Sequence, residues 1–588
     1  MTQIDDIIGA GRASGPFALC SAEELPERGA DRARFDERPA AVERWIAGLP
    51  LANLSAAARE LRGALEHLAA TGLDPAPRLR VLQQLEPSID YVCGGLRKLY
   101  LNVPPPLPSR PRAAAELTLD LREDMARAYQ LALVTGDAWR KLGKADRAAA
   151  LYGTMHHCAA TLVESWGLYQ APPPGCWLLL HRSRRHATEA RVNQRRLRVG
   201  KTTAHIDNLY KQVLLCAAAG PYQMGRGEAL DAFNALAQVA SRAQLLPAND
   251  AQAAQCPFRV DPVVDDGPSP NIGAPGDTAE TVLHLHTAGM VEETRKRLRG
   301  TGILWWRKTL PEDAARRLHR LTLSLAAVAE RREARQPDHK PASLVVGLSH
   351  VHRVLDAEDE AYFSSSQFES RDGRSQETAL EVHDVWKEIY SGDVLEEIAA
   401  QEPEVEEAHW VADYTPESSA AENFWELVNS SPGGFGLIAV DRESSRAQVG
   451  DLVMVHTSTG SGAVPNWHIG VIRWLRNENG QGLQLGIEAI GNRPAPVFAS
   501  AHLGEDRYSE PSRCLLLPED PERGTPETLI VPTLHYHEGQ RTVIRGHERT
   551  GDLELLEAVE RTALFGRYTF RELDPTGDAD DDEAWADI

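Results

Sequence analysis

The sequence predicts a multidomain α + β protein: an N-terminal all-α helical domain, a small β-barrel carrying a long acidic insertion, and a β-rich C-terminal extension. Three observations predict it. Apolar residues recur at steps of three and four as far as about residue 247, which is the period of amphipathic helices. From Ser343 onward the apolar runs become short and are punctuated by Gly, Asn and Ser, as strands with close turns are. Between the first two of those runs lies an acidic, Ser-rich stretch that cannot bury a core.

In the first part, Leu54, Ala58, Leu61, Leu65 and Leu68 line one helical face, and Gly72 is the expected stop. The spacing returns at Leu117, Leu121, Met125, Ala128 and Ala132, and again over 145–166, 206–218 and 229–240. Pro-rich breaks fall at 104–111 and 172–174. No consensus of fixed length repeats, so a solenoid is not supported. Residues 1–247 are therefore assigned to an all-helical domain. Residues 248–280, including PVVDDGPSPNIGAPGD, have loop chemistry and are expected to be a junction. Residues 281–330 form a helical region, where Leu318, Leu321, Leu325 and Val328 mark a helix running toward Arg335, and Pro337 favours its end.

The strand-like runs are SLVVGL, FWELV, GFGLIAV, DLVMVHT, WHIGVIRWL and LQLGIEAI. They place a barrel at 331–500, with 356–420 as a partly disordered insertion containing DAEDE, EPEVEE and one amphipathic piece over 382–389. Residues 501–573 form the C-terminal extension, and 574–588 a disordered acidic tail.

A chain of 588 residues has room for roughly two to four domains with cores of their own. The formal charge of −22 argues against nucleic acid as a partner, because polyanions are captured by basic surfaces. Cys20, Cys93, Cys158, Cys176, Cys216, Cys256 and Cys514 are odd in number and widely spaced, which suggests reduced cytosolic thiols. No run approaches the roughly 18 to 20 apolar residues of a membrane helix, and residues 1–11 are too acidic for a signal peptide. A cytoplasmic protein without membrane insertion is expected.

Two short elements carry the chemistry. Arg331 and Arg335, with Arg332 between them, form an RxxxR element before the first strand. Asn429, Ser431 and Gly434 form an NxSxxG element after FWELV. Two guanidiniums four residues apart at a helix end can converge on one anion and stack on flat bases. Asn429 and Ser431, two apart in an extended segment, share a face on which an amide and a hydroxyl can read a purine edge. Gly433 and Gly434 then permit a tight turn and close backbone approach.

On these residues the sequence resembles the PilZ domain family, whose signatures are RxxxR and [D/N]xSxxG. VGDLVMVHTS, the stretch from Gly470 to Trp474, and LQLGIEAIG resemble its later strands. The resemblance covers about residues 325–500 and implies a six-stranded antiparallel β-barrel that binds cyclic di-GMP through Arg331, Arg332, Arg335, Asn429, Ser431 and Gly434. It implies no catalysis, no metal and no cofactor beyond that ligand. The signatures stand further apart than the family pattern has them, which requires the insertion to loop out. Arg473 and Trp474 are candidates for a further charge or stacking face, with Trp474 expected in the core.

Other signals are set aside. The basic run 182–201 is a candidate docking patch for an acidic partner, with an exposed helix face as the plainer reading. GKTT at 200–203 is not a P-loop, because the first glycine of that motif falls on Arg195. Glu228, Ala229 and Leu230 spell a phosphodiesterase motif without its metal-binding carboxylates. The pairs His156–His157, His284–His286, His350–His352 and His535–His537 lack neighbouring ligands of established spacing and are read as surface or packed histidines. Cys158 beside His157 makes no hydrolase pair, since helix neighbours do not face each other.

The expected function is thus a cyclic di-GMP receptor and effector that passes its signal through the helical domain to a protein partner. The alternative is a helical scaffold whose barrel no longer binds nucleotide.

Overall fold

The computed structural model describes residues 35–134, 138–200, 202–272, 281–299, 312–326, 336–356, 423–439, 447–457, 467–478, 482–504, 507–521, 524–547 and 549–573. Arg331, Arg332, Arg335, the insertion from 357 to 420, the tail from 574 and the N-terminus to residue 34, with Cys20, lie outside the described residues.

The helical domain contains α1 Pro39–Ala47, α2 Leu54–Ala70, α3 Pro75–Arg97, α4 Ser109–Val134, α5 Ala138–Lys141, α6 Lys144–Gly167, α7 Cys176–Glu189, α8 Ile206–Ala218 and α9 Glu228–Leu236. The predicted stripes are the buried ones: Ala58, Leu61, Leu65 and Leu68 of α2 meet Leu82, Leu85 and Ile89 of α3 and Leu121 and Met125 of α4 in one continuous core. At the start of α2, the Asn53 side chain accepts from the Ala56 N–H at 3.0 Å. At its end, the fully buried Arg78 of α3 donates to the carbonyls of Leu68 and Thr71, satisfying acceptors that the helix itself cannot. Pro87 lies inside α3, a helix that the sequence reading did not mark. Farther along, the buried Glu164 of α6 accepts from Arg97 Nε at 2.8 Å and Tyr100 Oη at 2.7 Å, joining α6 to α3.

Several expectations are corrected here. The domain is not purely helical: β1 Leu197–Val199 and β2 Thr202–Ala204 form a hairpin, and Val199 pairs with Thr202 so that Gly200, at φ +54°, is in its turn. GKTT is therefore a hairpin corner. The basic run divides between α7 and this hairpin, so it is not one helix face; Arg184 turns inward to Asp207 at 3.3 Å, while Arg191, Arg195, Arg196 and Arg198 are exposed.

The junction is also more ordered than its composition implies. β4 Phe258–Val260 and β5 Ser269–Pro270 join β3 Gln244–Pro247 and β6 Leu283–His286 in a four-stranded sheet of order β3-β6-β4-β5. Asp265 accepts from the backbone N–H groups of Gly175 (2.5 Å) and Leu178 (2.9 Å), where α7 begins and its amides have no helical partner. His181 Nε2 meets the Asp266 carbonyl at 2.9 Å. Loop-forming residues thus serve as a strap over α7. Two further helices follow, α10 Ala288–Arg299 and α11 Glu312–Ala326, the latter lying within the helix predicted to run toward Arg335.

The first barrel is closed and six-stranded, in the order β10-β11-β12-β9-β8-β7, from β7 Gln336–Val346, β8 Asn423–Ser431, β9 Gly434–Ala439, β10 Leu452–Thr457, β11 Trp467–Glu478 and β12 Gly482–Asn492. Trp425, Leu427, Phe435, Leu437, Ile472, Leu475, Leu485 and Ile487 alternate inward to fill it.

The C-terminal extension is a second ring. β13 Ala495–Gly504, β14 Arg507–Tyr508, β15 Ser512–Leu517, β16 Thr528–Pro532, β17 Arg541–Gly546, β18 Thr550–Arg561 and β19 Phe565–Glu572 run in the order β14-β13-β15-β16-β19-β18-β17, and a further β13–β17 pairing closes it around Val497, Leu529, Val531, Ile544, Leu553 and Tyr568. Residues 495–500, expected in the first barrel, begin this second one. By compactness the chain divides into two units, one of Met1–Ala342, Phe424–Arg493 and Arg561–Phe565, the other of Ser343–Asn423, Pro494–Glu560 and Gly566–Ile588. Among the described residues, no helix is long and apolar enough to cross a membrane.

Asp451, just before β10, has a pH-dependent role in stability. Its carboxylate accepts from the Gln448 N–H at 2.8 Å, yet burial dominates and pushes its pKa up to about 7. The folded chain then holds this proton more tightly than the unfolded chain, so stability falls as pH rises from about 4 to about 7 and is level above that. Asp451→Asn should raise the thermal midpoint relative to the parent at pH 8 and change it far less at pH 4, where the carboxyl is protonated in the folded chain and in much of the unfolded one. A midpoint difference equal at both pH values would show that ionisation of Asp451 is not the cause.

Candidate functional site

Strand β8 would ordinarily send alternate residues to opposite faces. Leu427 pairs with Leu437 inside the barrel, so simple alternation would also turn Asn429 and Ser431 inward. A bulge between Leu427 and Asn429 inserts one residue and reverses the phase. Asn429 then pairs with Gly436 and Ser431 with Gly434 on the outer face, while Ser430 pairs with the inward Phe435. Pro432 and Gly433 make the turn, and the Gly433 carbonyl accepts from the Ala489 N–H of β12 at 3.0 Å.

The outer face is floored by glycines. One register row runs Asn429, Gly436, Gly486, Trp474 across β8, β9, β12 and β11, a span of about 14 Å at ordinary strand spacing. Both end residues lie over the glycines. A Cβ on Gly436 would fall 2.7 Å from Asn429 Oδ1, and one on Gly486 would fall 1.9 Å from Trp474 Nε1. In the next row, Ser431, Gly434 and Glu488 follow one another, and a Cβ on Gly434 would fall 2.0 Å from the Ile487 carbonyl oxygen. Gly434 is thus required by backbone contact.

Asn429 Oδ1 is buried and has no hydrogen-bond partner among the described residues. A buried unpaired acceptor costs roughly 1–3 kcal/mol, which a ligand donor can recover. Trp474, expected in the core, is instead a half-buried wall on the outer face. Beside it, Arg473 occupies a second bulge and its Nε lies 2.5 Å from Glu488 Oε2. The pair neutralises a carboxylate that would otherwise face the glycine floor.

Asn429, Ser431 and Gly434 are thus brought together on one face. Arg331, Arg332 and Arg335 lie outside the described residues; Gln336, next in the chain, begins β7, the neighbour of β8. Gly436, Gly486 and Glu488 were not assigned from sequence. Glycines inside strand patterns are the signal that marks such close approaches.

A closed six-stranded barrel with NxSxxG at a β8–β9 turn and a glycine-floored outer face defines a PilZ-domain protein. Residues 258–496 match the family model described as "Cyclic-di-GMP receptor FimW, middle PilZ domain". Residues 40–250 match the N-terminal domain of the same receptor, and residues 499–573 match "FimW C-terminal beta-barrel domain". With all three domains in that order, the chain belongs to the FimW family. It is 27% identical over 581 residues to the cyclic-di-GMP receptor FimW of Pseudomonas aeruginosa, covering 94% of this chain and 93% of that relative. No solved structure matches the chain.

Proposed function

We propose that the chain is a cytoplasmic cyclic di-GMP receptor that binds the dinucleotide on the outer face of the first barrel and signals through its helical domain to a protein partner. It acts by binding, without catalysis or a cofactor beyond the ligand, and takes neither nucleic acid nor a membrane as partner. Arg331 and Arg335 would hold phosphate, with Arg332 in a lesser role, while Asn429 and Ser431 read guanine and Gly434 keeps the floor open.

The observation that carries this reading is the orphaned Asn429 Oδ1 at the edge of the glycine floor. Guanine offers N1–H and N2–H donors side by side, the complement of such an acceptor. The approach of β7 supports the arginine roles. His339 Nδ1 lies 2.9 Å from Glu426 Oε1. β7 is the neighbour of β8 in the barrel, and it begins at Gln336, the residue that follows Arg335.

A path to the helical domain leaves from the Trp474 wall. Two and three residues farther along β11, Arg476 stacks 5.6 Å from the centre of the Tyr222 ring and the Asn477 N–H donates to the Tyr169 carbonyl at 2.7 Å. Ligand that restrains β11 would favour one seating of these contacts, and by linkage any partner that prefers that seating binds more tightly.

Calorimetry on the purified chain tests the proposal. Cyclic di-GMP should bind, cyclic di-AMP should bind more weakly, and Asn429→Ala should lose both affinity and part of that discrimination. Absence of binding heat at any temperature, together with no thermal stabilisation by the ligand, would favour the scaffold alternative.

A further inference from the structure

The helical domain holds a second polar cluster, about which the barrel chemistry says nothing. Glu86 and Asp90 lie one turn apart on α3 and face α6, where His156 and His157 follow one another. One ligand atom each from Glu86, Asp90 and His156 can be chosen so that all lie within 4.8 Å of one another. His156 Nε2 is 3.7 Å, and His157 Nε2 3.0 Å, from the same oxygen, Glu86 Oε1. These separations bracket the roughly 3.3 Å between donors of a tetrahedral site with bonds of about 2.0–2.1 Å.

The surroundings fit a held ion. Tyr129 Oη donates to Glu86 Oε2 at 2.8 Å, and Arg122 donates to Asp90 Oδ1 at 2.7 Å, leaving Glu86 Oε1 and Asp90 Oδ2 for the centre. Carboxylate ligands are characteristically oriented in this way by outer partners. His157 supplies an independent indication. Its ring is fully buried, and its Nε2, which meets no hydrogen-bond geometry among the described residues, is turned into the cluster 3.0 Å from Glu86 Oε1. Tyr129 stacks on His157 and Tyr152 on His156, which restrains both rings.

We propose that Glu86, Asp90 and His156, with His157 Nε2 facing the same centre, form a binding site for a divalent transition-metal cation that pins α3 to α6. Mixed imidazole and carboxylate donors favour zinc or a neighbouring first-row ion over magnesium or calcium, which prefer oxygen alone.

The test uses the full chain, stripped with chelator, with Zn2+ as the probe and Mg2+ for comparison. The expected result is one Zn2+ bound per chain, a higher thermal midpoint with Zn2+ than with Mg2+, and at least tenfold weaker zinc binding in Asp90→Asn and in His156→Gln. Both side chains are partly exposed, at 49% and 31%, so the substitutions leave the packed core alone. Far-UV circular dichroism checks the fold, and Asp90→Asn stands alone should the histidine variant fail to fold. No zinc binding by the parent, or the same stoichiometry and affinity in Asp90→Asn as in the parent, would overturn the site and leave the cluster a buried ion-pair network. Zinc held at other surface histidines would give that second pattern.

Discussion

Gly434→Ala is expected to destabilise the first barrel and abolish ligand binding together. The new Cβ would fall 2.0 Å from the Ile487 carbonyl oxygen, 3.1 Å from its carbon and 3.2 Å from Glu488 Cα. All three are backbone atoms, so no side chain can rotate aside; β9 must part from β12 over the Gly434–Glu488 pairing. Overpacking generally costs about 1–3 kcal/mol, and this case belongs at the upper end because the obstacle is a strand. Urea unfolding read by tryptophan fluorescence, with Trp474 two strands away on β11, would measure the loss. Gly63→Ala is the matched control: in α2 its Cβ would meet nothing within 4 Å, so removing a helical glycine should add about 0.5–1 kcal/mol. If both substitutions changed stability alike, the close approach at Gly434 would not be the cause.

Arg331→Ala and Arg335→Ala should each weaken cyclic di-GMP binding by about ten- to a hundredfold or more. A hydrogen bond to a charged group is worth roughly 1.5–3 kcal/mol, and each factor of ten corresponds to about 1.4 kcal/mol. Arg332→Ala should cost less. Because the arginines are proposed to hold phosphate, their loss should also flatten the fall of affinity with added salt, whereas Asn429→Ala should leave the salt dependence as it is. Titrations at two salt concentrations separate these roles. Parent-like affinity in both arginine variants would remove RxxxR from the site even if the β8–β9 turn still bound ligand.

Several features were legible because they are local. The apolar spacing of α2, α4, α6 and α8 is visible along the chain, since a half-buried helix must repeat its apolar face every three or four residues. NxSxxG was legible too: residues two apart share a strand face whatever the strand's partner is. The side of the barrel that face would take was not legible. It depends on a bulge at Val428, and a bulge is defined only by the register between two strands.

The same limit explains Trp474 and the junction. As a large apolar residue inside a strand pattern, Trp474 reads as core; only its pairing with Gly486 leaves room for the indole on the outer face. The residues around Asp265 have the composition of a linker, and their capping of α7 follows from a helix start some 90 residues earlier in the chain. By itself the sequence determined the α + β order, the barrel signature and the candidate anion-binding residues, because periodicity and short motifs are properties of neighbouring residues. The tertiary structure alone decided the face Asn429 occupies, the glycine floor beneath it and the meeting of Glu86 and Asp90 with His156, because each depends on which distant backbones pack together.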